Sequence, residues 1–334
     1  MKLLIIKPSS LGDVIHALPF LKAVKDTFPK ARIDWVIGRN FKDILEGNPL
    51  IDRLIVFDKD ALKKVGRMFH IAKTLCNELK AQRYDVVVDL QGLLRSGVMT
   101  LFAKSAMKVG FADAREGSTF FYDKKIRVSK DMHAVDKCLE IAKAIGAKVN
   151  SAEFPLYVDK GPKAKVKKLL GGIGEYIVIV PSARWETKRW PAEKFASLIG
   201  KLSIPAVIVG SKGDGKIAQE IVELKKYRSA EVVDLCGKTD LRELVALIAG
   251  ARAVVSNDSG PMHIAASFNK PLVAVFGPTD PVKTGPYGWQ ENRNFKVLAS
   301  GVSCRPCRKK KCREFVCMDK ISVGEVFEAV KENL

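Results

Sequence analysis

Short apolar runs alternate along the chain with longer segments in which apolar residues recur at helical spacing. A run at residues 3–6 is nearly continuous, as in strands that a parallel sheet buries on both faces. Further runs follow at residues 33–37, 51–57, 84–90, 176–180, 206–209, 232–235, 251–256 and 271–276. Segments with a period near 3.6 separate them, including residues 60–80, 134–145, 192–202, 217–226 and 241–249. This alternation predicts mainly parallel, doubly wound α/β sheets.

Periodicity weakens once, near residues 150–163, and then the alternation restarts. A chain of 334 residues is long enough to build two domains with separate cores. We therefore expect one Rossmann-like domain at residues 1–155, a second at 164–320, and a closing amphipathic helix at 321–334. Two such domains placed face to face would leave a cleft, which is a usual place for a ligand.

The loop after the first strand carries a candidate catalytic carboxylate, Asp13. No G-x-G-x-x-G follows the strand, so this is not the dinucleotide-binding fingerprint. Asp13 can cap the next helix, or it can act at the carboxyl end of a strand, where open α/β sheets place their sites. The helix dipole is expected to lower the pKa of Asp13 and weaken it as a base. A weak base can still act on a sugar hydroxyl if the hydroxyl loses its proton late, as the new bond forms. A role for Asp13 as the general base is therefore compatible with a lowered pKa.

A second polar turn, NDSGPMH at residues 257–263, lies between the run at 251–256 and the next helix. Such a turn directs backbone N–H groups and the positive end of a helix dipole at one spot, which suits phosphate. Asp258 or Ser259 can cap the helix, and Gly260 lets the backbone approach a ligand closely. The alternative is an ordinary capped helix after a buried strand.

The composition indicates a globular protein with a strongly basic balance. Hydrophobic residues make up 47% and charged residues 28% of the chain, and 57 Lys+Arg against 37 Asp+Glu give a net charge of +20. This charge favours anionic partners such as nucleic acid, an acidic membrane surface or phosphorylated substrates. It is spread along the chain, with a dense run only at residues 308–311, so a solvated surface explains it equally.

No apolar run approaches 18 residues, and the N-terminal run is too short for a signal peptide, so we expect a cytoplasmic protein. Three isolated cysteines, Cys76, Cys138 and Cys236, are expected to be small buried residues. Four more follow a C-x2-C-x4-C-x4-C pattern, at Cys304, Cys307, Cys312 and Cys317. Their spacing fits a structural zinc site, two disulfides or four free thiols.

Five stretches together resemble the bacterial lipopolysaccharide heptosyltransferases, a family with the two-domain GT-B architecture. They are KPSSLGDVIH at 7–16, DLQGLLRS at 89–96, KRWP at 188–191, NDSG at 257–260 with His263, and FGPT at 276–279. Each motif is weak alone, but all five occur in family order from one end of the chain to the other. The turn at 91–96 and the loop at 114–116 are more similar to the enzyme adding the first heptose than to the one adding the second. The cysteine tetrad also occurs in some family members, without an assigned role.

The resemblance implies an inverting, metal-independent transfer of heptose from ADP-heptose to a Kdo sugar of the lipid A inner core. It implies an enzyme that requires no cofactor for catalysis and acts at the inner face of the inner membrane. The oligomeric state is open, and a monomer is expected because nothing in the sequence demands more. Asp13 would take the proton from the acceptor hydroxyl. Lys188 and the backbone N–H groups of Ser259 and Gly260 would hold the leaving diphosphate, replacing a metal ion.

The resemblance also assigns residues to the two substrates. For the donor it adds Ser182 and Arg184, with Asp258 orienting the turn or contacting the sugar, and His263 contacting phosphate or packing the helix. For the acceptor it implies Ser10, Gly12, Arg95 and Arg115, because arginine pairs bidentately with carboxylate and phosphate. Ala183 departs from the family pattern, since a second hydroxyl residue is expected beside Ser182.

The sequence leaves three alternative functions. Another GT-B transferase with a different nucleotide sugar or acceptor is poorly separated by sequence. A nicotinamide dehydrogenase is disfavoured by the missing G-x-G-x-x-G. A nucleic-acid-binding protein rests on charge alone, without interleaved aromatic and basic residues or a reader motif, so no nucleic-acid partner is expected.

Overall fold

The computed structural model describes residues 1–59, 65–224 and 231–334. The chain forms two compact units, Met1–Tyr157 and Val158–Leu334. Parts of two predicted helices, residues 60–64 and 225–226, lie outside the described residues.

The first unit is built on a six-stranded parallel sheet. Its strands are β1 (Lys2–Ile6), β2 (Arg32–Gly38), β3 (Arg53–Phe57), β4 (Arg83–Asp89), β5 (Lys104–Phe111) and β6 (Lys124–Ile126), in the order β3-β2-β1-β4-β5-β6. Its helices are α1 (Leu11–His16), α2 (Leu18–Thr27), α3 (Val65–Lys80), α4 (Leu94–Phe102) and α5 (Ala134–Ala144). The four apolar residues 3–6 of β1 are fully buried, as a central parallel strand requires.

The second unit repeats this topology. Its strands are β7 (Ile177–Val180), β8 (Ala206–Ile208), β9 (Val232–Asp234), β10 (Ala253–Asn257), β11 (Leu272–Phe276) and β12 (Phe295–Ala299), in the order β9-β8-β7-β10-β11-β12. Its helices are α6 (Lys160–Leu169), α7 (Ala192–Ile199), α8 (Gly215–Leu224), α9 (Leu241–Gly250), α10 (Gly260–Ser267), α11 (Pro281–Thr284), α12 (Val316–Asp319) and α13 (Val323–Lys331). The predicted pair of doubly wound parallel sheets is confirmed.

Each sheet has one point at which the strand order reverses, between β1 and β4 in the first and between β7 and β10 in the second. Ile6 pairs with Asp89 at the end of the first pair, and Val180 pairs with Ser256 near the end of the second. The loops after these strands therefore emerge side by side. Open α/β sheets bind their ligands at this switch point, outside the carboxyl ends of the strands.

The structure differs from the sequence-based expectation in the first helix. Apolar residues recur at helical spacing at positions 14, 18, 21, 24 and 28, which predicts one helix after the first strand. The chain instead forms α1 and α2 with a break at Ala17. The cause is Pro19, which lies in the first turn of α2. Proline has no N–H to donate, and its ring would clash with the carbonyl four residues earlier in a continuous helix.

Helix α4 is a second difference, because residues 94–96 were expected to continue a polar turn. Gly97 in its middle weakens the helical signal in the sequence. The structure shows why glycine stands there: an added Cβ would lie 2.5 Å from Cδ2 of Phe121 and 3.0 Å from Cβ of Ser118. Tight packing against the neighbouring turn, Ser118–Phe121, therefore overrides the local preference.

Candidate active site

Asp13 lies in the first turn of the helix that follows β1, at the switch point of the first sheet. It is the third residue of α1, and its Oδ2 accepts hydrogen bonds from the Ser10 backbone N at 2.8 Å and from Ser10 Oγ at 2.7 Å. This is the reciprocal capping arrangement that starts a helix. The side chain of Asp13 is still 44% exposed. Asp13 therefore serves the helix through one oxygen and remains accessible to a substrate.

Lys7 is a residue that the sequence analysis missed. Its ammonium is almost fully buried, donates to the Leu90 carbonyl at 2.6 Å and lies 4.0 Å from Oδ1 of Asp13. Lys7 follows β1 and Leu90 follows β4, so this contact ties the two strands together at the switch point. It also keeps a fixed positive charge beside the carboxylate of Asp13. The sequence feature that could have pointed to Lys7 is its position directly after a buried strand, where sites in open α/β sheets lie.

The four predicted acceptor residues follow strands of the first sheet. Ser10 and Gly12 share the turn of Asp13, with Ser10 half-buried and Gly12 buried. Arg95 and Arg115 are exposed, after β4 and after β5. The Arg115 backbone N donates to the Gly92 carbonyl at 2.9 Å, which joins the two loops. The geometry thus places all four on the loops and first helical turns that follow β1, β4 and β5.

Lys188 and Asp258 form a closely paired couple in the second unit. Lys188 Nζ lies 2.6 Å from Asp258 Oδ2, and the two side chains are 17% and 5% exposed. Thr279 Oγ1 donates to the same carboxylate oxygen. Lys188 Nζ also lies 4.8 Å from the centre of the Trp185 ring. These contacts hold the lysine ammonium at the carboxyl ends of β7, β10 and β11.

Asp258 does not cap α10, contrary to one of the two capping predictions. Its carboxylate instead pairs with the ammonium of Lys188 and accepts a hydrogen bond from Thr279 Oγ1. Ser259 occupies the cap position, but its side chain makes no capping hydrogen bond, and its Oγ lies 3.3 Å from Ser256 Oγ. The first turn of α10, with Pro261 inside it, therefore begins without a side-chain cap. An uncapped helix start favours an anion.

Asn257 is a second residue that the sequence analysis did not single out. It is fully buried, and its Nδ2 donates to the Pro181 carbonyl at 2.7 Å. Its Oδ1 accepts from the Trp190 backbone N at 3.1 Å. Both ends of the loop at 181–190 are thereby fixed to the end of β10. Asn257 positions the segment that carries Lys188.

The remaining predicted donor residues lie on the same two segments. Ser182 is half-buried and Arg184 is exposed, both on the loop after β7. Ala183 between them is buried, and its carbonyl accepts from Arg189 Nε at 2.9 Å. His263 is buried within α10.

The cysteines show no metal-binding arrangement in the described part of the chain, where no three His, Cys, Asp or Glu side chains are placed to hold an ion. All seven are free thiols. Cys138 is buried as expected, whereas Cys76 and Cys236 are only half-buried. In the C-terminal tetrad, burial raises the pKa of Cys317, and backbone N–H groups of Glu314 and Phe315 lower the pKa of Cys312.

The segment at 304–317, which carries the four C-terminal cysteines, also contacts the loop at 181–190, which carries Lys188. Thr187 Oγ1 donates to the Lys309 carbonyl at 2.8 Å. The ammonium of Lys310 lies 5.4 Å from the centre of the Trp185 ring, which also faces Lys188.

Among the described helices, none has the length and apolar character needed to cross a bilayer.

Comparisons with known proteins agree on one family. The sequence model of glycosyltransferase family 9 (heptosyltransferase) matches residues 72–317. Lipopolysaccharide heptosyltransferase 1 of Escherichia coli K12 is 30% identical over 306 residues, covering 86% of this chain and 91% of that protein. Lipooligosaccharide heptosyltransferase 2 of Haemophilus ducreyi is 30% identical over 312 residues, covering 87% of each.

A solved structure extends the similarity to three dimensions. E. coli heptosyltransferase WaaC with ADP superposes with a TM-score of 0.79 at 28% identity over 100% of both chains. The same protein has also been solved with ADP-2-deoxy-2-fluoro heptose, with a TM-score of 0.77 at 27% identity. The predicted GT-B fold class and the predicted family are thereby confirmed. This chain is a glycosyltransferase and belongs to glycosyltransferase family 9, the heptosyltransferase family.

Proposed function

We propose that this protein transfers heptose from ADP-heptose to a Kdo sugar of the lipid A inner core, as a step of lipopolysaccharide biosynthesis. The observation that carries the proposal is the Lys188–Asp258 couple beside the uncapped start of α10, at the switch point of the second sheet. The names of the relatives and the nucleotide bound to WaaC support the choice of donor.

The second unit binds the donor in this proposal. The diphosphate lies against the backbone N–H groups of Ser259 and Gly260, where the dipole of α10 favours negative charge. Lys188 adds an ammonium group that Asp258 holds in place, and Thr279 in turn donates to the carboxylate of Asp258. Ser182, Arg184 and His263 complete the donor site from the same two segments.

The reaction is a single in-line displacement. The acceptor hydroxyl oxygen bonds to the anomeric carbon of the heptose, the bond from that carbon to the phosphate oxygen breaks, and ADP leaves. The hydroxyl proton passes to Asp13. One displacement inverts the anomeric configuration. Lys188 and the helix start neutralise the charge that develops on the leaving diphosphate, so the proposed chemistry requires no metal ion.

The first unit binds the acceptor in this proposal. Arg95 and Arg115 are exposed guanidinium groups on joined loops, suited to the carboxylate of Kdo and to the phosphates of lipid A. Ser10 and Gly12 shape the turn beside Asp13. The relatives do not separate transfer of the first heptose from transfer of the second, since heptosyltransferases 1 and 2 are each 30% identical to this chain. The proposal that this protein adds the first heptose therefore rests on the sequence of the turn at 91–96 and of the loop at 114–116.

The site of action is proposed to be the inner face of the cytoplasmic membrane, with the protein acting as a peripheral monomer. The net charge of +20 would draw it to an anionic glycolipid surface. Structural zinc on Cys304, Cys307, Cys312 and Cys317 stays a prediction from their spacing, separate from the reaction.

A screen of nucleotides for thermal stabilisation tests the donor site. ADP at about one hundred times its dissociation constant is expected to raise the unfolding temperature by about 5 °C or more, through linkage to the folded state. UDP and NAD at the same concentration are expected to give a much smaller shift. Equal shifts with all three, or a shift with NAD alone, would contradict the proposal.

A further inference from the structure

Helix α4 exposes apolar side chains along one face. Leu94, Val98 and Leu101 are 48%, 36% and 51% exposed, and their spacing of four and three residues places them side by side. The opposite face of α4 is buried through Ser96 and Met99 among others. One face of α4 therefore packs on the first unit, and Leu94, Val98 and Leu101 form an apolar stripe on the exposed face.

Phe120 lies on the turn packed against α4 and is 88% exposed, the most exposed of the large apolar residues of the described chain. The turn is firmly held. Gly97 of α4 allows the close approach of Phe121, and the hydroxyl of Tyr122 donates at 2.6 Å to the buried carboxylate of Asp89. The outward position of Phe120 is thus held by the contacts of Phe121 and Tyr122, the two residues that follow it.

The segment of the chain that carries this apolar stripe is rich in basic residues. Between residues 94 and 130 there are eight Lys or Arg against three Asp or Glu. Lys108 Nζ donates to the Leu101 carbonyl at 3.2 Å, and Lys104 is exposed immediately after α4. Arg95 lies within the first turn of α4 itself. Apolar side chains with cations around them fit the interface of a bilayer that carries anionic headgroups.

We propose that Leu94, Val98, Leu101 and Phe120 form a membrane-docking face that inserts between the acyl chains of an anionic lipid bilayer. The inference deepens the proposed peripheral location and rests on it. Arg95 and Arg115, proposed to bind the acceptor, are exposed on the same two segments: Arg95 follows Leu94 in α4, and the Arg115 carbonyl accepts from Ser118 N at the start of the turn of Phe120. Docking would therefore bring the acidic headgroup of a membrane-embedded acceptor to these arginines without a transmembrane anchor. The excess of basic residues between 94 and 130 favours an anionic bilayer at this face over a second, equally basic copy of the chain.

Binding to lipid vesicles tests the docking face. The wild-type protein should co-sediment with vesicles of phosphatidylethanolamine and phosphatidylglycerol. The affinity of the variant Leu101→Ser/Phe120→Ser for these vesicles should be lower by on the order of tenfold or more. Both side chains are exposed, so the variant is expected to fold. Val222→Ser is the matched control, because Val222 is a 43% exposed apolar residue of α8 in the second unit; its binding should not change.

Three results would separate the explanations. Equal vesicle binding by wild-type and Leu101→Ser/Phe120→Ser would overturn the docking face. A wild-type dimer on gel filtration that becomes monomeric in the variant, with vesicle binding unchanged, would assign the face to self-association and equally overturn it. Heptose transfer to a deacylated, water-soluble acceptor should be unaffected in the variant. Absence of that transfer in the wild-type protein would contradict the proposed function while leaving the vesicle result intact.

Discussion

Replacing Asp13 with alanine is expected to lower the turnover number by about 10³-fold, within the range by which general bases contribute to catalysis. The proton of the acceptor hydroxyl then has no carboxylate to accept it at the carboxyl end of β1. ADP affinity should stay unchanged, because the proposed diphosphate contacts all lie in the second unit. Steady-state kinetics at saturating substrates and calorimetric titration with ADP measure the two quantities.

The capping role of Asp13 calls for a control. Loss of its hydrogen bonds to Ser10 should cost about 1 kcal/mol of stability. Asp214 makes the same two contacts with Ser211, at 2.8 Å to the backbone N and 2.6 Å to Oγ. Asp214→Ala should lose similar stability with little effect on turnover. A near-normal turnover number for Asp13→Ala would remove Asp13 as the base.

Replacing Lys188 with alanine is expected to weaken ADP binding by about 10- to 100-fold, the usual worth of a hydrogen bond to a charged group. The variant should also lose about 3 kcal/mol of stability, because the carboxylate of Asp258 is 5% exposed and would lose its cation. Calorimetric titration with ADP and urea unfolding measure the two effects.

A double variant separates these two effects of Lys188. In Lys188→Ala/Asp258→Asn the buried charge is gone, so most of the lost stability should return while ADP affinity stays low. Lys165→Ala is the control, since Lys165 pairs with Glu243 at 3.1 Å on other helices of the same unit and should leave ADP affinity unchanged. Recovery of ADP affinity in the double variant would mean that Lys188 serves only to neutralise Asp258.

The fold was largely predictable because its strands are buried on both faces. Runs such as residues 3–6 and 271–276 are apolar without interruption, and the segments between them have a clear helical period. The two errors in the first unit come from interactions that local periodicity does not report. Pro19 splits a helix whose apolar spacing is continuous, and Gly97 belongs to a helix because of what packs on it.

The candidate site was predictable as far as single loops define it. Asp13 and the turn at 257–263 stand directly after strands, where the chemistry of open sheets is expected. Pairings between distant loops could not be inferred in the same way. Asp258 was one of two residues that could cap α10, but its carboxylate binds the ammonium of Lys188 and the hydroxyl of Thr279, which follow other strands. Lys7 and Asn257 were missed for the same reason, since their partners follow neighbouring strands.

The most direct measurement of the central claim is transfer with purified components. The protein is incubated with ADP-heptose and Kdo-lipid A in the presence of EDTA, and the released ADP and the anomeric configuration of the product are determined. We predict one ADP released for each heptose attached to Kdo, with inverted configuration. Release of free heptose without an attached product, retained configuration, or transfer from a UDP-sugar instead would contradict the account.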